Sequence, residues 1–424
     1  MTNRSFQSSR HRPRYSSENR FRPLAARGSS RRQKAVALLL ALLLFASTAM
    51  LLAYIRLQGN IQVGENPSEL IGERPDASPV PLDPNAGRPI NLLVIGSDVR
   101  DGDWADEDIE GMRSDATLLL HISADRKRVD AVSIPRDTRM DIPQCLLRNG
   151  KQTAPGYQVK FNEAFFRGGI RNNIEEAAAC TMKTVEGFTG IYIDDYVVVD
   201  FSGFQDMVNA LDGVPLYVEE DIGDDRANLY LKRGCRLLDG QKALGYARAR
   251  YTLGDGSDLS RIDRQQQLLS AIVREALQLN LLTDLTSLYQ FLDAATQSLS
   301  TGPQLGSLST LAGLGYSLRA INPSEIVFIT MPVEYVGFEI YYSDEAEVLW
   351  ENIRLDRPLG YREPDPDTTV TTESTPTPES STTPGDDTPR TRGTPTPDPT
   401  ENLDGATTAE EDKELPHCTR RNAK

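Results

Sequence analysis

Residues 91–100 read NLLVIGSDVR, an apolar run that ends in a glycine, a serine and an aspartate, with an arginine two positions later. A short apolar run of this kind predicts a strand that is buried on both faces. Asp98 and Arg100 then follow the carboxyl end of the strand, where open α/β sheets gather their ligands. The sequence therefore predicts an α/β sheet with a polar site at one edge.

Three further segments combine arginine with aspartate: RSD at residues 113–115, PRD at 135–137 and YARARYTLGDGSDLSRIDRQQ at 246–266. The whole chain carries a formal net charge of −15, so a generally basic surface does not explain this concentration of arginine. A guanidinium binds phosphate oxygens through two parallel hydrogen bonds. The four segments together predict a site for a polyanion such as phosphate.

Short apolar runs that predict strands alternate with amphipathic stretches that predict helices. The strands are predicted at residues 90–95, 116–122, 129–134, 196–201 and 326–331. The helices are predicted at residues 174–189, 201–211, 240–246, 264–277 and 305–318. This alternation indicates an α/β fold in which a mixed, mostly parallel central sheet lies between helices, as an α-β-α sandwich.

The N-terminal region predicts a single membrane span. Residues 35–55 contain no charged side chain over 21 positions, which is long enough to cross a bilayer. Residues 1–34 hold nine arginines and one lysine against a single acid, Glu18, so the positive-inside rule predicts a cytoplasmic N-terminus and an extracytoplasmic remainder. A cleaved signal peptide is the alternative, but its apolar core is usually about 7–15 residues. The basic tail beside a span favours contact with anionic lipid over nucleic acid.

Composition divides the chain into five segments. Residues 1–34 are the basic cytoplasmic tail, and residues 35–55 are the predicted transmembrane helix. Residues 56–88 are rich in proline, glycine, asparagine and glutamate, which predicts a linker. Residues 89–362 form the predicted extracytoplasmic domain. Residues 363–424 are dominated by threonine, proline, serine and acids, which predicts a disordered tail.

Two aspartates suggest a metal site. Asp98 and Asp115 lie at the two ends of one polar loop and can converge on Mg²⁺, with Mn²⁺ as the alternative ion. Magnesium is usually held by one or two carboxylates while substrate phosphates and waters complete its octahedron. Ordinary turn and capping chemistry is the alternative for both residues.

The remaining arginines also have simpler alternatives. Arg136 can form an exposed ion pair with Asp137, and the side chains of Arg248 and Arg250 face the same way only in an extended segment. Asp258, Arg261 and Gln265 are spaced by three and four residues, which places them on one helix face but also suits ordinary surface pairs.

Other catalytic classes find little support in the sequence. The chain has three histidines, and only His121 lies in a predicted strand, so nucleophilic catalysis that depends on histidine is disfavoured. Sequence patterns of P-loop, zincin and Rossmann proteins are absent. Cysteines at 145, 180, 235 and 418 fit no zinc template. We favour a Cys145–Cys180 disulfide, with other pairings or buried thiols as alternatives.

The ordered motifs resemble the LytR–CpsA–Psr family of cell-envelope proteins. The resemblance covers about Asn91 to Ala276, and more weakly to Pro358. It rests on the blocks NLLVIGSDVR, RSDATLLLHIS, VSIPRD, KFNEAFFRGG, TGIYIDDYVVVDFSGF, LDGQKALGYARARY and GSDLSRIDRQQ. Two features depart from the family pattern: the loop between Asp98 and Asp115 is long, and a Thr/Pro-rich tail replaces the accessory domain of some members.

The resemblance implies a membrane-anchored phosphotransferase that moves a glycopolymer from a polyprenyl-pyrophosphate carrier onto peptidoglycan. It implies that Asp98 and Asp115 hold Mg²⁺, and that Asp258 orients an arginine or accepts the proton of the acceptor hydroxyl. Arg136 and Asp137 are the other catalytic candidates. The residues implied to bind the pyrophosphate are Arg113, Arg136, Lys160, Arg248, Arg250, Arg261 and Gln265.

Two other functions remain open at this stage. A binding protein for polyprenyl-phosphate lipids would need the arginines but no pair of metal-binding carboxylates. A pyrophosphate hydrolase would use the same residues with water as the acceptor. The paired aspartates favour chemistry over binding alone, and access of water to the site separates hydrolysis from transfer.

Overall fold

In the computed structural model, the described residues are 31–76, 87–98, 112–249, 257–278, 285–319, 321–322, 325–362 and 418–423. The chain divides into two compact units, one ending at Ile55 and the other beginning at Arg56.

The described strands fall into one large sheet and four two-stranded sheets. They are β1 (Gln62–Val63), β2 (Ile90–Ser97), β3 (Ser114–Ile122), β4 (Val129–Ser133), β5 (Arg139–Ile142), β6 (Gly156–Lys160), β7 (Asp195–Val199), β8 (Val214–Val218), β9 (Ile222–Asp224), β10 (Leu229–Leu231), β11 (Gly234–Leu238), β12 (Leu299–Thr301), β13 (Ile326–Thr330), β14 (Val333–Val336) and β15 (Glu339–Tyr342).

The described α-helices include short connecting turns as well as long packed elements. They are α1 (Arg31–Asn60), α2 (Ser68–Ile71), α3 (Glu163–Gly168), α4 (Ile174–Thr189), α5 (Phe201–Ala210), α6 (Gly240–Arg248), α7 (Asp258–Gln278), α8 (Leu285–Gln297), α9 (Leu308–Leu318) and α10 (Asp344–Arg354).

The large sheet has seven described strands in the order β1-β12-β7-β2-β3-β4-β13. It contains all five strands that the sequence predicts, so the α/β fold with a mixed central sheet is confirmed. Parallel pairing does not predominate, however, because the described neighbours form three parallel and three antiparallel pairs. The reason is local: β2, β3 and β4 follow one another along the chain and pair as antiparallel neighbours.

Strand direction brings several chain segments to one edge of the sheet. Strands β7, β2, β4 and β13 run in the same direction, and β3 runs against them. The carboxyl ends of those four strands and the start of β3 therefore meet at one edge, which we call the site edge. Asp98, Asp115 and Arg136 all follow or begin strands there.

Alternating side chains of the sheet feed two apolar cores. Leu93 and Ile95 of β2 pack in a core with α4 and α10, which includes the fully buried Trp350. Ile90 and Leu92 point to the opposite face and pack in a second core with residues of α9. Helices therefore cover both faces of the sheet, as the sequence predicts.

The best predicted helix, α4, has clear signals at both ends. The side chain of Asn173 accepts a hydrogen bond from the backbone N–H of Glu176, which caps the first turn. The helix is followed by Gly190 at φ 65°, the left-handed conformation that glycine adopts at low cost. The structure places this helix at the predicted residues 174–189.

Helix α1 accounts for the described part of the first unit. It is long and apolar enough to cross a membrane by its length and composition, and it lies near the N-terminus. The predicted span at residues 35–55 lies within it. Of the basic tail predicted at residues 1–34, residues 1–30 lie outside the described residues, and residues 31–34 begin α1.

The predicted linker at residues 56–88 is wrong for its first part. Leu57 and Ile61 are buried, β1 pairs with β12 at the edge of the large sheet, and Ile71 of α2 packs in the main core. A few well-spaced apolar residues are enough for this packing. The composition of the segment did not indicate it, because proline and glycine are more frequent there than these apolar residues.

The predicted disordered tail is also wrong at its end. Cys418 forms a disulfide with Cys235 of β11, and the guanidinium of Arg420 forms an ion pair with Glu275 of α7. The same side chain donates hydrogen bonds to the backbone carbonyls of Leu211 and Gly213. Residues 363–417 lie outside the described residues. The predicted Cys145–Cys180 disulfide is confirmed.

Removal of the Cys235–Cys418 disulfide is expected to lower the stability of the domain. The bond closes a loop with a sequence separation of 183, and the chain-entropy model assigns such a loop up to about 5 kcal/mol. Cys235→Ser/Cys418→Ser should lower the free energy of unfolding in urea by several kcal/mol, and Arg420→Ala should lower it by less. An unchanged urea midpoint in the double variant would contradict this attachment of the C-terminal segment.

Candidate active site

The first element of the site is a clasp between the end of β2 and the start of β3. A carboxylate oxygen of Asp98 accepts a hydrogen bond of 2.6 Å from the backbone N–H of Arg113. The backbone N–H of Asp98 donates to the carbonyl of Arg113 at 3.1 Å. A register shift at Gly96/Ser97 precedes this clasp. The clasp fixes Asp98 and Arg113 beside each other at the site edge.

Arg136 lies at the centre of the site, just after β4. Its Nη1 donates a hydrogen bond to Oδ1 of Asp115, and its Nε lies 3.5 Å from Oδ1 of Asp258. The side chain of Arg136 is 18% exposed, so one part of it remains accessible while the carboxylates hold its orientation. The sequence left open an ion pair with Asp137, and the structure pairs Arg136 with Asp115 and Asp258.

Asp258 supports Arg136 from the buried side. Its side chain is 1% exposed and forms a second ion pair with Arg261, one turn later in α7. Nη2 of Arg261 also donates to the backbone carbonyl of Asp115 at 3.3 Å. Helix α7 is therefore fixed to the strand ends through buried charges, and the predicted helix face of Asp258 and Arg261 is not a surface face.

These groups line one cleft of about 420 Å³, which we call the arginine cleft. Its opposite wall comes from β6 and α3, where Nζ of Lys160 donates to Oδ1 of Asp137 at 2.8 Å. The residues that line the arginine cleft are Asp98, Arg113, Asp115, Arg136, Asp137, Lys160, Asn162, Glu163 and Phe166. Six of the predicted site residues, Asp98, Arg113, Asp115, Arg136, Asp137 and Lys160, therefore lie together in the arginine cleft.

The arginine cleft offers carboxylates that fit a hard divalent cation. Asp98 and Asp115 both line it, and each has one oxygen engaged with an arginine, through the backbone of Arg113 and the side chain of Arg136. In the described residues, no group of three or more acidic, histidine or cysteine side chains could form a complete metal cage. Two carboxylates at one edge suit a cation that takes its remaining ligands from substrate phosphates and water.

A second, apolar cavity of about 220 Å³ adjoins the arginine cleft, and Asp115 lines both. Apolar side chains of β2, α5, α7 and α8 form most of the apolar cavity, among them Val94, Phe201, Phe204, Leu268, Leu269 and Phe291. Arg248 and Gln265 lie at its polar margin. A charged cleft and an apolar cavity therefore lie next to each other at the site edge.

Three predicted pyrophosphate-binding residues lie apart from the arginine cleft. Arg248 ends α6 and is therefore not in an extended segment; its guanidinium stacks over the ring of Phe201, 4.7 Å from the centroid. Nε2 of Gln265 donates to the carbonyl of Ala247 at 3.1 Å. Arg261 is buried behind Arg136. Arg100 and Arg250 lie outside the described residues.

The KFNEAFFRGG block supplies the other three lining residues of the arginine cleft: Asn162, and the missed residues Glu163 and Phe166. Phe166 lies under the guanidinium of Arg113, with its centroid 5.6 Å from Cζ, and Glu163 begins α3. The signal was that this block begins with the predicted residue Lys160.

His121 is fully buried away from the arginine cleft. Its Nδ1 lies 2.7 Å from the side-chain oxygen of Asn91, and its Nε2 lies 3.0 Å from a carboxylate oxygen of Asp356. These contacts are structural, as expected for a histidine inside a strand.

This chain belongs to the LytR_cpsA_psr family, whose sequence model matches residues 54–354. It is 35% identical over 191 residues to the polyisoprenyl-teichoic acid–peptidoglycan teichoic acid transferase TagV of Bacillus subtilis. That match covers 44% of this chain and 43% of TagV. It is also 32% identical over 238 residues to the transferase TagU of Halalkalibacterium halodurans, covering 56% of this chain and 68% of TagU.

A solved structure has the same fold. Protein gbs0355 of Streptococcus agalactiae matches with a TM-score of 0.50 and 20% identity, over 63% of this chain and 88% of that protein. At this identity the likeness supports the fold alone.

The contrasting burial of Asp258 and Asp115 predicts different stability costs. Asp258→Asn removes the carboxylate between two largely buried guanidiniums and should lower the free energy of unfolding by about 3 kcal/mol. Asp115→Asn affects a pair at a partly open position, and Arg136 keeps Asp258, so the loss should be about 1 kcal/mol. Urea unfolding of both variants provides the test; equal losses would show that Asp258 is not the buried support of the site.

Proposed function

We propose that this protein is a membrane-anchored phosphotransferase that moves a glycopolymer from a polyprenyl-pyrophosphate lipid onto peptidoglycan during cell-wall assembly. The main observation behind this proposal is that the charged arginine cleft adjoins the apolar cavity, with Asp115 lining both. A lipid-linked pyrophosphate has the same division, with a charged head joined to a long apolar chain. The names of the relatives TagV and TagU supply the same substrate class.

The arginine cleft would bind the pyrophosphate head. Arg113, Arg136 and Lys160 line it and carry three positive charges toward the phosphate oxygens. The apolar cavity would take the first isoprene units, and Arg248 and Gln265 at its margin would approach the head group from that side. Such placement stabilises the negative charge that spreads over the oxygens in the transition state.

Asp98 and Asp115 would hold Mg²⁺ between them, or Mn²⁺ as the alternative ion. When bound, the cation would neutralise phosphate oxygens and orient the pyrophosphate. Arg136 already neutralises one oxygen of Asp115. The guanidinium therefore connects the metal ligand to the phosphate-binding groups.

Transfer requires attack by an acceptor hydroxyl on the phosphorus that carries the glycopolymer. The new bond joins that phosphorus to the acceptor oxygen, and the bond to the bridging oxygen breaks, so the lipid leaves as polyprenyl phosphate. Asp137 is our candidate to accept the hydroxyl proton, because Lys160 holds it at the wall of the arginine cleft. Asp258 is almost fully buried, which favours its role in orienting Arg136 over proton transfer.

Helix α1 supports the membrane attachment in this proposal. The span would keep the domain close to a lipid substrate, and the basic tail would hold the N-terminus in the cytoplasm by the positive-inside rule. The catalytic domain would then lie on the extracytoplasmic side, where peptidoglycan is available.

Arg136→Ala is expected to abolish transfer because it removes the central phosphate-binding group. Full-length protein in detergent would be incubated with a synthetic polyprenyl-pyrophosphate-linked sugar, Mg²⁺ and peptidoglycan oligomers, and the products followed by mass spectrometry. Arg319→Ala, an exposed arginine stacked on Tyr316, is the matched control and should remain active.

The products of the same reaction decide between the functions. A sugar-phosphate-glycan adduct supports transfer. Free sugar phosphate alone would favour a hydrolase, and tight lipid binding without turnover would favour a binding protein. Near-normal transfer by Arg136→Ala would remove this residue from the phosphate site.

Asp115→Asn should raise the Mg²⁺ concentration that supports half-maximal activity, because it removes one of two carboxylate ligands. Asp98→Asn should act in the same direction. Asp141→Asn, an exposed aspartate of β5 away from the arginine cleft, provides the charge-matched control. If the Mg²⁺ titrations of all three variants coincide with that of the unmodified protein, the two aspartates do not bind the metal.

A further inference from the structure

A second groove lies beside the arginine cleft and has no part in the proposed donor site. It measures about 330 Å³ and lies between the β5–β6 ribbon and the β14–β15 hairpin. The residues that line it are Arg139, Gln158, Glu334, Val336, Tyr341 and Tyr342. We call it the hairpin groove.

The hairpin groove continues directly from the arginine cleft. Arg139 of β5 is the register partner of Lys160 of β6, so the two side chains lie side by side on one face of the ribbon. Lys160 lines the arginine cleft, whereas Arg139 lines the hairpin groove. The pKa of Arg139 is raised, mainly by its hydrogen bond to Glu339 and also by Tyr341 from the groove and Glu163 from the cleft. A ligand could therefore extend from one space into the other.

The hairpin is held firmly against the domain. Ile340 bridges Thr138, immediately before β5, and the ring of Tyr342 stacks on Phe188 with 6.2 Å between centroids. Phe188 in turn packs edge-on against the buried Trp350. Both walls of the hairpin groove are therefore tied to the main core, which favours a preformed site.

The number of cationic side chains distinguishes the hairpin groove from the arginine cleft, which three of them line beside four carboxylates. The one lining arginine of the hairpin groove, Arg139, is held at two points by the carboxylate of Glu339, and Glu334 adds an unmatched negative charge to the lining. With one lining cation that is already paired with Glu339, the hairpin groove suits the pyrophosphate or an anionic donor polymer less well than the arginine cleft, which has three. It instead offers a phenol ring, an amide and charged hydrogen-bonding groups around a neutral ligand.

We propose that the hairpin groove binds the acceptor glycan, with sugar rings packing on Tyr341 and hydroxyls bonding to Glu334 and the Arg139–Glu339 pair. This inference rests on the proposed function, since it names where the acceptor of that reaction lies. Sugars present both an apolar C–H face and many hydroxyls, which matches an aromatic side chain set among polar groups. The hydroxyl at the end of such a chain would enter the arginine cleft past Lys160.

A lipid surface is the competing occupant, because Val336 and Phe338 at the hairpin turn are strongly exposed. A hairpin that binds anionic lipid normally carries basic residues. This one carries Glu334 and Glu339, so the observations favour the glycan.

The test compares two tyrosines of the same hairpin in full-length protein in detergent. Tyr341 lies opposite Glu334 and lines the hairpin groove, whereas Tyr335 lies opposite Ile340 on the other face. The probe is a four-sugar β-1,4-linked oligomer of N-acetylglucosamine and N-acetylmuramic acid, with the lactyl carboxyl groups capped as amides so that the oligomer is neutral. Its binding is measured by titration calorimetry, and its KM in the transfer assay is measured separately.

Tyr341→Ala should weaken oligomer binding and raise the acceptor KM by about tenfold, which corresponds to the loss of one aromatic contact. The kcat at saturating acceptor and the donor KM should stay unchanged. Tyr335→Ala should leave all of these values unchanged. Circular dichroism and urea midpoints would establish that both variants remain folded.

Three results would overturn the inference. Unchanged oligomer binding and KM in Tyr341→Ala would remove the glycan from the hairpin groove. An equal loss of oligomer binding in both variants would show that the effect is not specific to the hairpin groove. Displacement of the oligomer by phosphatidylglycerol added to the detergent micelles would assign the hairpin to the membrane. Calorimetry separates this inference from the proposed function: oligomer binding that depends on Tyr341 without any transfer would support the groove and count against the transferase.

Discussion

The site depends on one buried carboxylate. Asp258 lies at the start of α7 with Arg136 on one side and Arg261 on the other, and its side chain is almost completely removed from solvent. Two guanidiniums at such a short distance would repel each other, and both would lose hydration on burial. The carboxylate between them offsets the repulsion and the desolvation cost. Arg136 is therefore held in one orientation, with the exposed part of its side chain in the arginine cleft. Without that carboxylate, Arg136 would lose its buried partner and keep its ion pair with Asp115.

Much of this arrangement follows from the sequence because its main strands are buried on both faces. Such strands are continuous apolar runs, and each of the five that we predicted belongs to the central sheet. Strands β1 and β12 were missed because two or three residues at a sheet edge leave no periodic signal. Helix α7 begins six residues before the predicted start, since Asp258 and Arg261 read as polar surface positions although ion pairing allows them to be buried.

Other features depend on contacts between distant segments, which spacing cannot show. The side chains of Arg248 and Arg250 would face the same way only in an extended segment. Arg248 is instead the last residue of α6, which places it at the margin of the apolar cavity. The tail composition indicated disorder, yet one cysteine and one arginine attach its end to β11 and α7. Disulfide connectivity is not determined by cysteine count, so this attachment had no sequence signal.

The division of charge around the site gives each reactant a separate environment. The arginine cleft is lined by three cationic side chains beside four carboxylates, and the apolar cavity is lined mainly by aliphatic and aromatic groups. The hairpin groove has one lining arginine, which is paired with Glu339. A phosphate placed in the hairpin groove would meet Glu334, and a sugar placed in the apolar cavity would lose its hydrogen bonds to water. Each misplacement is therefore unfavourable for its own physical reason. Because Asp115 joins cavity to cleft and Lys160 joins cleft to groove, the proposed lipid-linked donor and glycan acceptor would approach each other in the arginine cleft.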